Sequence, residues 1–177
     1  MYAVIVYRAR FSCEHSVTMS LMHSATIRSP LGMLTVTVND THLLSIDFVK
    51  SKTSNGKQSA LLKKVIKELE EYFKGTRKKF TIPLKAHGTT FQKSVWNTMQ
   101  KIDHGSSVSY AALAKAIKKP KSFRAVATAC GKNPLPIVIP CHRVKSASGL
   151  GGYSGGIGKK MWLFTHEAGK KLQRSKK

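Results

Sequence analysis

Cys141, His142 and Arg143 follow one another directly, between an apolar run bracketed by Pro136 and Pro140 and a glycine-rich stretch, Ser146 to Gly158. The two prolines fix φ and remove backbone donors, which argues against an ordinary central strand and for a stiff segment holding one thiol in place. A thiolate is the strongest common side-chain nucleophile, and a neighbouring imidazole or cation lowers its pKa. The plain alternative is that Cys141 is a small buried hydrophobe. The glycine-rich stretch is neither a P-loop nor a G-x-G-x-x-G turn. It can instead bring backbone N–H groups close to a flat ligand.

The 177 residues include 31 Lys and Arg against 8 Asp and Glu, a formal net charge of +23. That balance points to a polyanionic partner, most simply nucleic acid, although charge alone specifies neither base nor chemistry. Cys13, Cys130 and Cys141 lie far apart without a C-x-x-C pair, which disfavours a disulfide scaffold and suits a reducing compartment. Cys13 and His15 are two candidate zinc ligands where four are needed, so no metal is expected. No apolar stretch approaches the ~20 residues of a membrane span. Tyr2 to Tyr7 is too short for a signal-peptide core. A soluble intracellular protein is expected, cytoplasmic or nucleoid-associated in a bacterium and nuclear in a eukaryote.

The elements that must position the thiol follow from local patterns. Tyr2 to Tyr7 can form a short strand; the alternative reading is a native start at Met19 or Met22. A β-meander is predicted from Ser24, with a turn at Ser29–Gly32, a strand over Met33–Val38, a turn at Asn39-Asp40 and a strand over Leu43–Phe48. Ser51–Gln58 reads as a loop. Ser59–Lys74 carries apolar residues at helical spacing, with Gly75 as C-cap. Arg77–Pro83 is predicted as a further strand. Thr89 and Gln92 form a capping box for a helix whose apolar face runs Phe91, Val95, Met99 and Ile102. Ser109 caps a helix to Ile117, Lys119-Pro120 breaks it, and Ser122 caps another through Cys130, with Phe123 facing inward beside Val126. This pair reads as a helix-turn-helix, with Lys115, Lys118, Lys119 and Lys121 around the turn. A last helix is predicted over Lys159–Ala168.

PCHRV, preceded by RAV and GKNP and followed by GGYSGG and His166-Glu167, resembles the O6-alkylguanine-DNA alkyltransferase family, the methylated-DNA–protein-cysteine methyltransferases. The ordered match runs from roughly Thr89 to Gly169, and more loosely from about residue 24. The resemblance implies an α+β chain. Residues 23–87 would form an RNase-H-like β-meander with a helix. Residues 88–170 would form a helical, winged-helix-like domain with the helix-turn-helix and the thiol. Residues 1–22 remain an extension without an assigned role, and 171–177 a basic tail.

The same resemblance assigns roles. Cys141 becomes nucleophile and final alkyl acceptor, His142 the general base, directly or through a water, and Glu167 its orienting carboxylate. Asn133 would tie the active-site turn together and support the thiolate, with Arg143 structural. Tyr110 would help rotate the target nucleotide and hydrogen-bond its base, and Arg124 would fill the gap left in the stack. Ser122, Ala125 and Ala127 would face DNA. Tyr153, Ser154 and Gly155 would line the base pocket, and backbone groups of Cys141 and Val144 would read the guanine amine. Phe123 and Thr128 are bulkier than the small residues usual on that helix. The implied activity is stoichiometric, single-turnover transfer of an alkyl group from O6-alkylguanine, or O4-alkylthymine, in duplex DNA to Cys141. It would be approached from the minor groove by a monomer without cofactor. A thioether is not hydrolysable, so the thiol is not regenerated. The rival readings are a non-catalytic lesion sensor, a cysteine hydrolase and a plain DNA-binding regulator.

Overall fold

A computed structural model describes residues 21–51, 59–147 and 149–169, so the strand expected within the first twenty residues and the basic tail lie outside the described residues, as does nearly all of the 51–58 loop. Strands β1 (His23–Ser29), β2 (Gly32–Val38) and β3 (Leu43–Val49) form an antiparallel sheet in the order β1-β2-β3. The first hairpin closes with Ser29 opposite Gly32. Gly32 has φ +99°, a conformation that favours glycine. On β2 the two-residue period buries Leu34, Val36 and Val38 on one face.

Helix α1 (Ala60–Phe73) packs against β1 and β2 with Leu62, Val65, Leu69 and Tyr72 buried, and Ser59 caps it by accepting from Leu62 N. Each such aliphatic side chain contributes about 1.5–3 kcal/mol on burial, so helix and sheet stabilise one another. The C-cap is Lys74, with Gly75 one residue further on at φ +78°.

Arg77–Pro83 forms no strand, contrary to its pattern. Its polar groups are taken up by α1 instead. Thr81 donates its N–H to Glu68 at 2.8 Å and its hydroxyl at 2.5 Å, and Arg77 Nε donates to Glu71 at 2.7 Å. Pro83 has no N–H to offer a ladder. An isolated parallel bridge between Leu43 and Leu84 ties the segment to the sheet.

In the following half, helix α2 (Thr90–Met99) starts at the Thr89–Gln92 capping box and ends at Gln100. Ile102 therefore lies beyond the helix, in a tight turn where its N–H donates to Met99 O at 3.1 Å. Helix α3 (Tyr110–Ala116) is capped by Ser109, which accepts from Ala112 N. A turn with Lys118 at φ +59° and one 3-10 turn, Pro120–Ser122, lead into α4 (Phe123–Gly131). Because the 3-10 turn runs straight into α4, Ser122 holds the N-cap position without a side-chain cap bond. Phe123 does not face inward. It stands in the first turn, 46 % exposed, with the Arg124 guanidinium 5.8 Å from its ring centre, while Val126, Ala129 and Cys130 make the buried face. Trp96, on α2, donates its indole N–H to Ala129 O at 2.9 Å and fixes α4 from behind.

Two two-residue strands complete the frame. β4 (Val108–Ser109) pairs in parallel with β5 (Val144–Lys145), Val108 against Val144 and Ser109 against Lys145. Tyr110 thus starts α3 beside the strand that leaves the thiol. Helix α5 (Ile157–Glu167) closes the chain back over this junction. The α+β architecture is as expected. Among the described residues no helix is long and apolar enough to cross a membrane.

Candidate active site

The Leu135–Pro140 segment is buried except for its turn geometry, which is tight rather than extended. Ile137 has φ +77°, Ile139 N donates to Leu135 O at 2.8 Å and Cys141 N to Ile139 O at 2.8 Å. Cys141, His142 and Arg143 then make a single 3-10 turn, all three buried, before β5 begins. Three successive side chains are thereby sent in different directions from one short turn.

Asn133, just beyond the end of α4, organises the turn. Its Nδ2 donates to Ile139 O at 2.8 Å and to Cys141 Sγ at 3.3 Å, while Oδ1 accepts from Leu135 N at 3.0 Å. Helix-stop residue and thiol partner are the same side chain. Cys141 is only 4 % exposed. Burial pushes its thiol up, and the Asn133 bond and the Lys160 charge oppose this. Cys130, also free and buried, has no such donor, and burial drives it up to about 12. Its sulfur instead contacts Met99 Sδ at 3.5 Å. Both described thiols are pushed up by burial, and Cys141 differs in having a side-chain donor, Asn133, that opposes the shift.

His142 is fully buried, and its Nε2 lies 2.8 Å from Glu167 Oε1. An ionised carboxylate can only accept, so Nε2 carries the proton and Nδ1 of the neutral ring presents a lone pair. Nδ1 has no hydrogen-bond partner among the described residues. Burial pushes the imidazole pKa down, and this outweighs the upward pull of Glu167. The neutral ring is the form a general base needs.

Glu167 is the hub. Oε1 accepts from His142, from Tyr72 Oη at 2.7 Å and from Arg143 Nη2 at 2.9 Å, and Oε2 accepts from Arg143 Nε at 2.9 Å and Gly105 N at 3.1 Å. Burial pushes its carboxyl up, but the bonds from His142 and Arg143 prevail and hold it well below the usual carboxylate range. Arg143 also donates to Ile102 O, the structural role expected of it.

Lys160, one turn into α5, is fully buried and donates to Val144 O, Leu150 O and Gly152 O, stapling the glycine-rich loop to β5. Gly151, at φ +69°, lies so close to Tyr110 that a Cβ there would stand 2.9 Å from its hydroxyl. Gly155 is pressed against Phe48 of β3, where a Cβ would meet the ring at 2.7 Å. Tyr153 stacks edge-on to Phe48 with ring centres 6.1 Å apart, and its buried hydroxyl has no partner among the described residues. Ser154 is exposed on the same loop. Arg124 and Ala125 are exposed on α4, with Ser122 and Ala127 partly buried.

The structure therefore brings together Cys141, Asn133, His142 and Glu167. It sets Tyr110 against the Gly151–Tyr153 loop and leaves Arg124 exposed on α4. Sequence reasoning missed Tyr72, Lys160 and Phe48. Tyr72 and Phe48 lie in the apolar runs of earlier elements, and Lys160 carries no local signal of its role. The expected lack of metal ligation finds no cluster of three His, Cys, Asp or Glu among the described residues, but Cys13 and His15 lie outside them.

A helical half that carries a buried, carboxylate-braced cysteine–histidine pair defines an α+β protein built around thiol chemistry. Residues 22–86 match the ribonuclease-like domain of 6-O-methylguanine DNA methyltransferases, and residues 90–169 match their DNA binding domain. The chain is 37 % identical over 153 residues to the methylated-DNA–protein-cysteine methyltransferase of Methanosarcina acetivorans, covering 82 % of this chain and 98 % of that one. It is 39 % identical over 140 residues to the constitutive enzyme of Bacillus subtilis, covering 73 % and 85 %. The crystal structure of Mycobacterium tuberculosis OGT in complex with DNA superposes with a TM-score of 0.77 at 37 % identity, covering 83 % of this chain and 93 % of that one. The chain belongs to the methylated-DNA–protein-cysteine methyltransferase family.

Proposed function

We propose that this protein repairs DNA by moving one alkyl group from the O6 of guanine, in a flipped-out nucleotide, irreversibly onto Cys141. Family membership makes it a transferase acting on alkylated DNA with a protein cysteine as acceptor. The observation that carries the assignment to Cys141 is the neutral His142, with Nε2–H committed to Glu167 and Nδ1 bare, next to a thiol already held by Asn133.

In this reading the Cys141 proton passes to His142 Nδ1, directly or through one water. The thiolate attacks the alkyl carbon, the S–C bond forms as the C–O6 bond breaks, and the electron pair leaves on the guanine. The guanine anion takes up one proton while the His142 imidazolium gives up the one it received from the thiol, directly or through water, so the products are neutral guanine, neutral His142 and a thioether. Glu167 stabilises the transient imidazolium. The lesion is stacked within the duplex and must be extruded at a cost of a few kcal/mol. Arg124 enters the vacated stack from the minor groove and Tyr110 turns the nucleotide and bonds its base. Ser122, Ala125 and Ala127 lie along the groove. Tyr153, Ser154 and Gly155 with the backbone of Cys141 and Val144 form the base pocket. O4-alkylthymine offers the same electrophilic carbon. One chain carries every group, so a monomer suffices and no cofactor is needed.

Intact mass after mixing with duplex DNA bearing one O6-methylguanine tests this directly. A gain of one methyl per chain, mapping to Cys141 and saturating at one equivalent, is expected. No gain with preferential lesion binding would instead indicate a sensor, and turnover of acyl substrates a hydrolase.

A further inference from the structure

We propose that Tyr72, on α1 in the ribonuclease-like half, is a positioning residue for alkyl transfer, acting through Glu167 on the imidazole that takes the thiol proton. This rests on the reading of His142 as general base.

Glu167 occupies the last position of α5. The free carbonyls at a helix C-terminus disfavour an anion there, so the carboxylate depends on donors brought from outside its helix. Arg143 supplies charge through both oxygens. Tyr72 supplies something different. Its hydroxyl shares Oε1 with His142 Nε2, at 2.7 and 2.8 Å respectively. With Arg143 Nη2 also on Oε1, three donors divide its electron density, so Tyr72 tempers the pull of Glu167 on the imidazole proton.

The grip is double. The main-chain carbonyl of Tyr72 lies 2.8 Å from His166 Nε2, so neighbouring residues of α5 are both tied to one residue of α1. The ring itself is fully buried and held on its sides by Phe73, Phe80, His104 and His166, at centre distances of 5.6, 5.4, 6.2 and 5.4 Å. A phenol so confined cannot swing away from Oε1. Burial, followed by the Glu167 charge, pushes the phenol pKa well up, so it stays a donor across the working range.

Removing only the hydroxyl leaves Oε1 shared between the imidazole and Arg143 Nη2, with one competing donor fewer. The imidazolium is then better stabilised, and a larger fraction of His142 is protonated near neutrality, where it cannot accept the thiol proton. The charged and titratable groups facing this cluster are Arg143 and Cys141 from the thiol turn, Lys160 and His166 from α5, and His104 with Lys78 from the flanking loops. Tyr153 lies close enough to contribute. All remain in place in the variants below.

The test is the single-turnover rate of methyl transfer from duplex O6-methylguanine, followed from about pH 5.5 to 9 in the full chain. For Tyr72→Phe the acidic limb should move up by about one unit, lowering the rate below the limb by roughly tenfold. The deficit should shrink as pH rises past the limb, and the duplex Kd should stay at its wild-type value. Tyr72→Gln, whose amide can donate to the same oxygen, should keep the limb near its wild-type position, although the plateau falls. Superimposable profiles for Tyr72→Phe, a loss uniform across pH, or a limb equally displaced in both variants would each overturn the proposal. Absence of transfer by the unmodified chain would instead remove the reading on which it rests.

Discussion

Lys160 Nζ donates to Val144 O at 2.6 Å, so a buried cation from α5 closes onto the strand that follows the thiol. Its other two donors go to Leu150 O and Gly152 O, and together they give the glycine-rich loop its shape. Burial pushes the Lys160 pKa down, with the two cysteines opposing, and the charge in turn favours the Cys141 thiolate. Lys160→Met strands three carbonyls and removes that charge. A loss of about 2–3 kcal/mol in urea unfolding is expected, with faster proteolysis between residues 146 and 156.

Asn133→Ala separates support of the thiol from the rest of the chemistry. Without Nδ2 the thiol loses the largest influence opposing burial, and its pKa rises further. Alkylation of Cys141 by iodoacetamide, read by mass spectrometry across pH, should shift to higher pH, and methyl transfer at neutral pH should slow about 10- to 100-fold. The lost bonds to Ile139 and Leu135 add a stability cost of about 1–3 kcal/mol.

Acid should destabilise the fold through the Glu167 cluster. A carboxyl held low in the folded chain contributes stability above its unfolded value of about 4, and this is lost as pH falls through the folded value. His142, pushed down by burial, acts in the same direction. Its contribution is present above the unfolded histidine value, about 6.5, and falls away below it. Urea midpoints should therefore decline from about pH 6.5 downward. Glu167→Gln should flatten the slope below about pH 5 and cost about 3–5 kcal/mol at pH 7, because Arg143 is left buried without its counter-charge.

DNA binding should divide into two kinds of contact. Lys121→Ala, beside α4, should weaken damaged and undamaged duplexes equally and reduce the slope of log K against log salt by about 1. Arg124→Ala should chiefly reduce the preference for the lesion, read from 2-aminopurine fluorescence opposite the flipped nucleotide.

What the sequence disclosed was local. The apolar spacing of α1, the Thr89–Gln92 capping box and the Ser109 cap depend on neighbours a few residues away, and each stands in the structure. Asn133 and Cys141 were found by motif, eight positions apart. Tyr72 was legible only as one more apolar position on α1, because its partner lies far along the chain. Lys160 gave no signal, since nothing on its own helix reveals the three carbonyls it meets. Arg77–Pro83 failed for the converse reason. An extended segment satisfied by helix side chains has the same residue pattern as a strand. Phe123 was placed inward from its apolarity alone, and the 3-10 entry to α4 puts it outside.

The donors that converge on Glu167 come from 95, 62, 25 and 24 residues away. Joining points so distant along the chain must overcome loop-closure entropy before any of the bonds exists. One of those donors, the Tyr72 hydroxyl, comes from the other half, so Glu167 is fully braced only when the two halves have docked. A partly folded chain, whether newly made or loosened by heat, lacks the Tyr72 donor to Glu167. Repair capacity in a sample of this protein is therefore a count of the molecules that have finished folding.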